Sequence, residues 1–306
     1  MPSTQPPFNY ERVCKETTKL VLTHHDIQAA WVDIDSIPPT LHIIAAPGSN
    51  LCASAISFGL PCQIAIHHDK PFRILRLEPY WTNLLSPYQR CQDIPITLGT
   101  QIQPAGANWV GTGGIPVHYR TPDGLDRWGL LSNWHVIAQG DERRGRTIHQ
   151  PTTAYPSFAS LDLWESVRPD RINTIDAAIG HAWHKDHHTI TLDVLDIGRV
   201  HPHFSEAYKG LPVQKVGRST GLTRGTCIGT KASAKINYGN FIATFEDLDV
   251  FAGTNKAFSA PGDSGSGIFN AEHQPIALLF AGNDTLTLGI PIRHIIKRFN
   301  LQPLLP

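Results

Sequence analysis

Apolar and polar positions follow two different regimes along this chain, with a change near residue 100. Ahead of the change, Tyr10 to Leu22 repeats its apolar residues at helical spacing and predicts one amphipathic helix. Ile27 to Ile34 and Leu41 to Ala46 predict two strands joined by a turn that holds Pro38 and Pro39. Ser54 to Leu60 opens a further element, and Cys62 to His67 and Phe72 to Leu77 predict two more strands. Residues 1 to about 8 are polar and proline-rich, the composition of a loose terminus. The pattern predicts a small α+β domain over residues 1–104.

From the glycine-rich stretch Ala105 to Gly114 onward, short strands alternate with turns almost to the end, as in an antiparallel β-barrel protein. Ile115 to Arg120 and Trp128 to Ser132 read as a hairpin around Thr121-Pro122-Asp123-Gly124. Residues from about 140 to 172 read as a long loop with few strand signals, a length expected only beside a cleft. A second barrel is expected from about Gly210, with strands at 213–216, 225–232, 241–245, 267–269, 276–280 and 288–292. Pro291 to Phe299 returns to helical spacing. No internal repeat is visible in the residues.

Three short stretches carry candidate chemistry. Phe258 to Gly267 contains Gly262-Asp263-Ser264-Gly265, where a glycine free of a Cβ can turn its N–H outward beside the N–H of Ser264. On these residues alone, a Gly/Ser turn between two strands reads equally well. Gly129 to Ala138 is an apolar strand running into a turn that carries His135. Ile172 to Ile179 places Asp176 inside an apolar run. A lone histidine on such a strand is more often a satisfied core residue, and a lone aspartate a cap or turn residue. In the order His, Asp, Ser they are a general base, its orienter and a nucleophile. Asp162, Asp170 and Asp186 compete for the orienter's role. Asp176 is preferred because Ile175 and Ala177-Ala178-Ile179 would bury it, and a buried carboxylate needs a partner.

Ser132-Asn133-Trp134-His135-Val136, Ile175-Asp176-Ala177-Ala178-Ile179 and Gly262-Asp263-Ser264-Gly265-Ser266 resemble the motifs of the trypsin-like (chymotrypsin-fold) serine peptidases. Val213 to Gly225 and Leu278 to Gly282 are similar to further marks of the Narrow Leaf type of plant and bacterial trypsin-like proteins. The resemblance covers about residues 105 to 300. It implies a mainly β fold: two antiparallel six-stranded barrels over about 105–205 and 206–290, and a C-terminal helix over about 291–300. It also implies a catalytic set of His135, Asp176 and Ser264, with the N–H groups of Gly262 and Ser264 as the oxyanion hole. Matched motif to motif, Phe258 lies at the floor of the primary specificity pocket, and Phe280, Ala281, Gly282 and Gly289 line it. With Phe258 where an acid would bind a basic side chain, the expected pocket is shallow and apolar; Asp284 is the nearby acid able to change that. Secreted trypsins pair a freed N-terminal amine with the aspartate before the nucleophile, and Arg218 is the candidate substitute partner for Asp263.

Composition narrows the function classes. Of 306 residues, 41% are hydrophobic and 17% charged, an ordinary globular balance. Lys+Arg and Asp+Glu are both 26, so the formal net charge is zero; neither a nucleic-acid nor a membrane partner is expected. The five cysteines, Cys14, Cys52, Cys62, Cys91 and Cys227, form no metal-ligand spacing, and reduced thiols with no secretory leader lead to an expectation of a cytoplasmic protein. His181, His184, His187 and His188 cluster, but without a helical frame they read as a solvated loop rather than a zinc site. Gly217-Arg218-Ser219-Thr220-Gly221 lacks the lysine of a phosphate loop. The sequence therefore predicts a regulated serine endopeptidase that needs no cofactor or metal, with a protein or peptide substrate and a regulatory protein partner. A silent peptidase-fold scaffold and an esterase for small acyl groups are the alternatives.

Overall fold

A computed structural model of the chain describes residues 10–58, 60, 62–77, 86–184 and 187–304. The proline-rich residues 1–8 and Asp186 lie outside these, as do the side chains of residues 183–188.

The helix expected near the start is α1 (Tyr10–Thr23). A helix of this length is marginal alone, so its apolar stripe has to be buried elsewhere. Val13, Leu20 and Val21 supply that stripe, packed with Ile27, Ala30, Val32, Leu41 and Ile43 of β1 (Ile27–Asp33) and β2 (Thr40–Ala45). The two strands are antiparallel, and β3 (Gln63–His68) runs parallel to β2. The segment expected to be a strand over Phe72–Leu77 keeps only a short one, β4 (Arg73–Ile74).

Barrel 1 follows as β5 (Thr100–Pro104), β6 (Gly111–Gly113), β7 (Ile115–Arg120) and β8 (Asp126–Ser132), then the single-turn helix α2 (Trp134–Ile137). It is completed by β9 (Thr147–His149), β10 (Ser157–Glu165) and β11 (Ala177–His181). The strand pairs β5–β6, β7–β8, β8–β11, β11–β10, β10–β9 and β9–β5 close a ring, with β6 and β7 acting as one bent strand. Barrel 2 comprises β12 (Pro212–Gly217), β13 (Gly221–Asn237), β14 (Ile242–Gly253), β15 (Gly267–Phe269), β16 (Pro275–Gly282) and β17 (Leu286–Pro291). Its pairs run β12–β13, β13–β14, β14–β17, β17–β16, β16–β15 and β15–β12, again a closed six-membered ring. The C-terminal helix α3 (Ile292–Phe299) buries Ile292, Ile295 and Phe299. The fold is mainly β, with the chymotrypsin-like two-barrel plan and C-terminal helix that the motifs implied.

Several expectations change in the structure. Barrel 1 begins before residue 105, because β5 (Thr100–Pro104) is one of its closing strands. β1 pairs with β13 through Ala29↔Ala234 and Ala30↔Ser233, so β1, β2 and β3 extend the sheet of barrel 2. Thr17 and Thr18 reinforce that seam through Ser233, at 3.2 and 2.8 Å. Residues 140–172 are not a long loop, since they contain β9 and the nine-residue β10. The period of β10 was hidden by a bulge between Leu161 and Leu163 and by an inward-facing charge, Asp162. Asp162 takes hydrogen bonds from Tyr119, Arg127 and Arg144 at 2.6–2.9 Å. The histidine-rich stretch contains a small hairpin, Trp183–His184 against His187–His188, rather than plain loop.

Candidate active site

Strand β8 ends at Ser132, Asn133 turns the chain in an extended conformation, and α2 then presents His135 to the cleft between the barrels. The Asn133 side-chain amide donates to the carbonyl of Asp176 at 2.8 Å, which ties this turn to the start of β11. His135, Asp176 and Ser264 have no exposed surface. His135 Nδ1 stands 2.6 Å from Asp176 Oδ2, and the His135 N–H donates to Oδ1 at 3.2 Å. His135 Nε2 stands 2.8 Å from Ser264 Oγ. With its Nδ1 proton directed at the carboxylate, the neutral ring offers Nε2 as the acceptor. The Tyr238 hydroxyl donates to Asp176 Oδ2 at 2.6 Å. Burial, then the Asp176 carboxylate, push the Tyr238 phenol well above its usual range, which keeps it a donor.

The rivals of Asp176 are elsewhere. Asp162 is held by Tyr119, Arg127 and Arg144; burial works to raise its carboxyl, but those donors bring it below the ordinary value. Asp170 is exposed, and Asp186 lies outside the described residues.

The loop before Ser264 is built as its glycine suggested. Gly262 has φ +105°, and a Cβ there would stand 2.2 Å from Ser219 Oγ. Asp263 turns inward and is fully buried. It accepts from Ser219 N–H (2.8 Å), Thr220 N–H (3.3 Å), Thr220 Oγ1 (2.7 Å), Ala260 N–H (3.0 Å) and Lys215 Nζ (3.0 Å). Lys215, not Arg218, is therefore its cation. Arg218 turns to Gln101 at 2.6 Å and Ser219 at 3.2 Å. Lys215 is buried to the same extent and spends its three ammonium protons on Asp263, Thr220 Oγ1 and the Gly221 carbonyl. Burial lowers the Lys215 pKa, against the pull of Asp263. The sequence did contain this signal: Val213 and Lys215 share one face of β12, and Val213 is a core residue.

Phe258 is 1% exposed and packs with Val213, Cys227, Phe251, Ile268 and Leu279. Asp284 stays outside this group; it is exposed and pairs with Lys70 at 2.6 Å. The Phe280 carbonyl lies 3.0 Å from Ser264 Oγ. Gly282 borders the pocket, where a Cβ would stand 3.0 Å from Leu75 Cδ1 and 2.9 Å from the Leu286 carbonyl. Gly289 pairs with Leu279 and faces Ala277, Phe251 and Ile268, all of the apolar group around Phe258. The strand register also puts Thr287 opposite Gly282, and Thr287 hydrogen bonds Ser259 at 2.5 Å. Reading the register of β16 against β17, rather than glycine positions, identifies that pair.

The pocket is already filled, by the chain itself. Leu75 is 2% exposed and belongs to the same apolar group as Phe258. Its carbonyl accepts from Ser264 N–H at 3.2 Å and, at a shorter distance, from Gly262 N–H. The N–H groups of Gly262 and Ser264 thus converge on one oxygen. The Leu75 N–H lies 2.9 Å from Ser264 Oγ and 3.2 Å from the Phe280 carbonyl. Upstream, Ile74 pairs with Ala281 and Arg73 with Gly282, antiparallel. Downstream, Leu77 and Val110 exchange both backbone hydrogen bonds, at 3.1 and 3.2 Å. The Arg76 guanidinium donates to the His135 carbonyl at 3.0 Å and lies 4.2 Å from the Trp109 ring centre. Nothing in the apolar spacing of Phe72–Leu77 distinguished this strand from any other.

Among the described residues, no group of His, Cys, Asp and Glu is arranged to hold a metal ion. All five cysteines are free.

No protein-family model and no curated protein matches the chain. Among solved structures it is similar to Cellulomonas bogoriensis chymotrypsin, at 20% identity over 68% of this chain and 98% of that one, with a TM-score of 0.48. It is similar to Thermobifida fusca protease A at 19% identity over 69% and 99%, with a TM-score of 0.48. It is similar to Nocardiopsis protease at 19% identity over 69% and 99%, with a TM-score of 0.49.

Proposed function

We propose that the chain is a serine endopeptidase acting on protein substrates through Ser264, His135 and Asp176. The observation that carries this reading is the unbroken line from Asp176 Oδ2 to His135 (2.6 Å) to Ser264 Oγ (2.8 Å), set beside two N–H donors aimed at one carbonyl oxygen. Ser264 Oγ attacks the substrate carbonyl while His135 Nε2 takes its proton. Asp176 holds the ring in the tautomer that accepts at Nε2 and stabilises the cation that forms. The oxygen of the tetrahedral intermediate takes its charge beside the N–H groups of Gly262 and Ser264. His135 then passes the proton to the leaving amine, and water resolves the acyl-enzyme by the same steps.

The pocket around Phe258 suits an apolar side chain of leucine size, which favours cleavage after such residues. A buried Ser264 whose pocket is occupied by Leu75 favours a narrow, regulated role over general digestion. The test is a fluorophosphonate probe read by mass spectrometry, applied to the wild type, to Ser264→Ala and to Leu75→Lys, whose charged side chain does not suit the apolar pocket. The expected adduct sits on Ser264 and is absent from Ser264→Ala, which also loses peptide hydrolysis by about 10⁴–10⁶-fold. A folded Leu75→Lys chain that takes no adduct would leave a binding scaffold as the better description. Short acyl esters hydrolysed in preference to peptides would favour the esterase.

A further inference from the structure

We infer that the Leu75–Arg76 peptide bond of this chain is itself a substrate of Ser264, cut within the same molecule; the inference rests on the peptidase reading and adds to it the sequence that the cleft accepts. Five conditions make a peptide bond cleavable in such a cleft, and this bond meets each. Its carbonyl oxygen must face the two oxyanion donors, and that of Leu75 does. The residue that donates the carbonyl must be fixed by its own N–H, and Leu75 N–H is held between Ser264 Oγ and the Phe280 carbonyl. Its side chain must occupy the pocket, and Leu75 is buried among Val213, Phe258 and Leu279.

The fourth condition is an extended approach paired to the cleft wall, met by Arg73–Gly282 and Ile74–Ala281. The fifth is that the departing side be anchored near the base. Arg76 binds the carbonyl of His135 itself, and Leu77 pairs with Val110. The acyl side is thus held by barrel 2 and the amine side by barrel 1. No disulfide braces the strap, since all five cysteines are free.

The steps balance with water alone. Ser264 Oγ forms an ester bond to the Leu75 carbonyl carbon, and its proton moves to His135 Nε2. The C–N bond to Arg76 breaks, with that proton delivered to the leaving amine. Water, deprotonated by His135, then releases Leu75 as a carboxylate and restores Ser264. The tether through α1, β1 and β13 keeps the bond at the site and makes the reaction independent of protein concentration. The same contacts retain residues 10–75 on barrel 2 after the cut. They also define the substrate class for other proteins: an extended Arg-Ile-Leu-like segment with leucine in the pocket and a basic residue after the cut.

The experiment is intact mass and N-terminal sequencing of the purified full chain, wild type beside Ser264→Ala. The expected result is a new N-terminus at Arg76 in the wild type, with the two fragments separating only after denaturation, and a single uncut chain in Ser264→Ala. Freshly refolded wild type should convert at one rate across a hundredfold dilution. Leu75→Met should still be cut, and Leu75→Lys should be cut at least a hundredfold more slowly. A wild type that stays intact while Leu75→Lys takes the fluorophosphonate adduct overturns self-cleavage and leaves the peptidase standing. An intact wild type with no adduct on a folded Leu75→Lys or Leu75→Met chain overturns both. Cleavage at Arg76 in Ser264→Ala assigns the cut to another protease and overturns the inference.

Discussion

Asp263 and Asp249 lie in the same barrel with no exposed surface, yet one is surrounded by donors and the other has none. Asp263 takes five hydrogen bonds, from three backbone N–H groups, the Thr220 hydroxyl and the Lys215 ammonium. Neither carboxyl oxygen of Asp249 has a hydrogen-bond partner among the described residues. Burial raises the Asp249 carboxyl to about 8, and Asp247 and Glu206 add to the rise, against Arg293 and Lys231. A buried carboxylate keeps its charge only where partners replace water. That condition is met next to Ser264, where the charge orders the loop carrying Gly262 and Ser264. It is not met in β14, where Asp249 is a neutral acid at pH 7. Burial of a charged residue type is therefore no guide to a site; convergence of donors on it is.

The largest effect expected from this contrast is that of Lys215→Met, which keeps the volume of the side chain and removes the cation. Removing one member of a buried pair costs about 3–5 kcal/mol, because the other charge is left uncompensated. Here the uncompensated charge sits between Gly262 and Ser264, so their two N–H groups lose their shared aim at the Leu75 carbonyl as well. Chemical denaturation should show the stability loss, and probe labelling of Ser264 should fall by at least tenfold in protein that is still folded. A stable, normally reactive Lys215→Met chain would mean that the backbone donors alone hold the loop.

Asp249 gives the next largest effect, and its sign is opposite to that of a paired aspartate. The folded value of about 8 lies above the unfolded value of 3.8, so between them the folded chain holds a proton that the unfolded chain releases. Its contribution is complete below the unfolded value and is lost as pH rises through the folded one. The loss is at most about 1.4 kcal/mol per pH unit from this group. Asp249→Asn removes the titration, so its stability relative to the wild type should improve steadily from pH 5 to pH 8. The Cys227 thiol nearby, pushed up to about 12 by burial with help from Asp249, stays neutral over that window. Denaturation curves at four pH values would decide it, and parallel pH dependences for the two proteins would refute the neutral acid.

How much of this was legible beforehand depends on the range of the signal. Strands β15 and β12 and helix α3 fall close to where local apolar spacing put them. The motifs around His135, Asp176 and Ser264 mark residues that the fold brings within hydrogen-bond reach. Local period failed in β10, where Asp162 faces inward to meet Tyr119, Arg127 and Arg144 from other segments. It could not place Thr287 beside the pocket, because pairing register is what puts Thr287 opposite Gly282. Tyr238 and the Leu75 strap left no mark at all. Each acts through contacts between segments far apart in the chain, and no short window of sequence contains both ends.

Tyr238 supplies the smallest effect and the finest test of the comparison. Asp176 is the third wholly buried aspartate among the described residues, and it has an intermediate set of donors: the His135 N–H, His135 Nδ1 and the Tyr238 hydroxyl. Tyr238→Phe removes one donor and keeps the ring, which stacks on Phe241 at 4.9 Å and meets the His135 ring edge-on at 5.9 Å. With both contacts to His135 intact, the carboxylate is under-satisfied rather than stranded, and one lost hydrogen bond is worth about 1 kcal/mol. The expected outcome is a loss of that size in denaturation and a fall in peptide hydrolysis of less than tenfold. A loss as large as that of Lys215→Met would show that the count of donors is not what matters. The Asp176–His135 pair would then depend on this one hydroxyl for its position, and the ranking of the three aspartates by their partners would have to be given up.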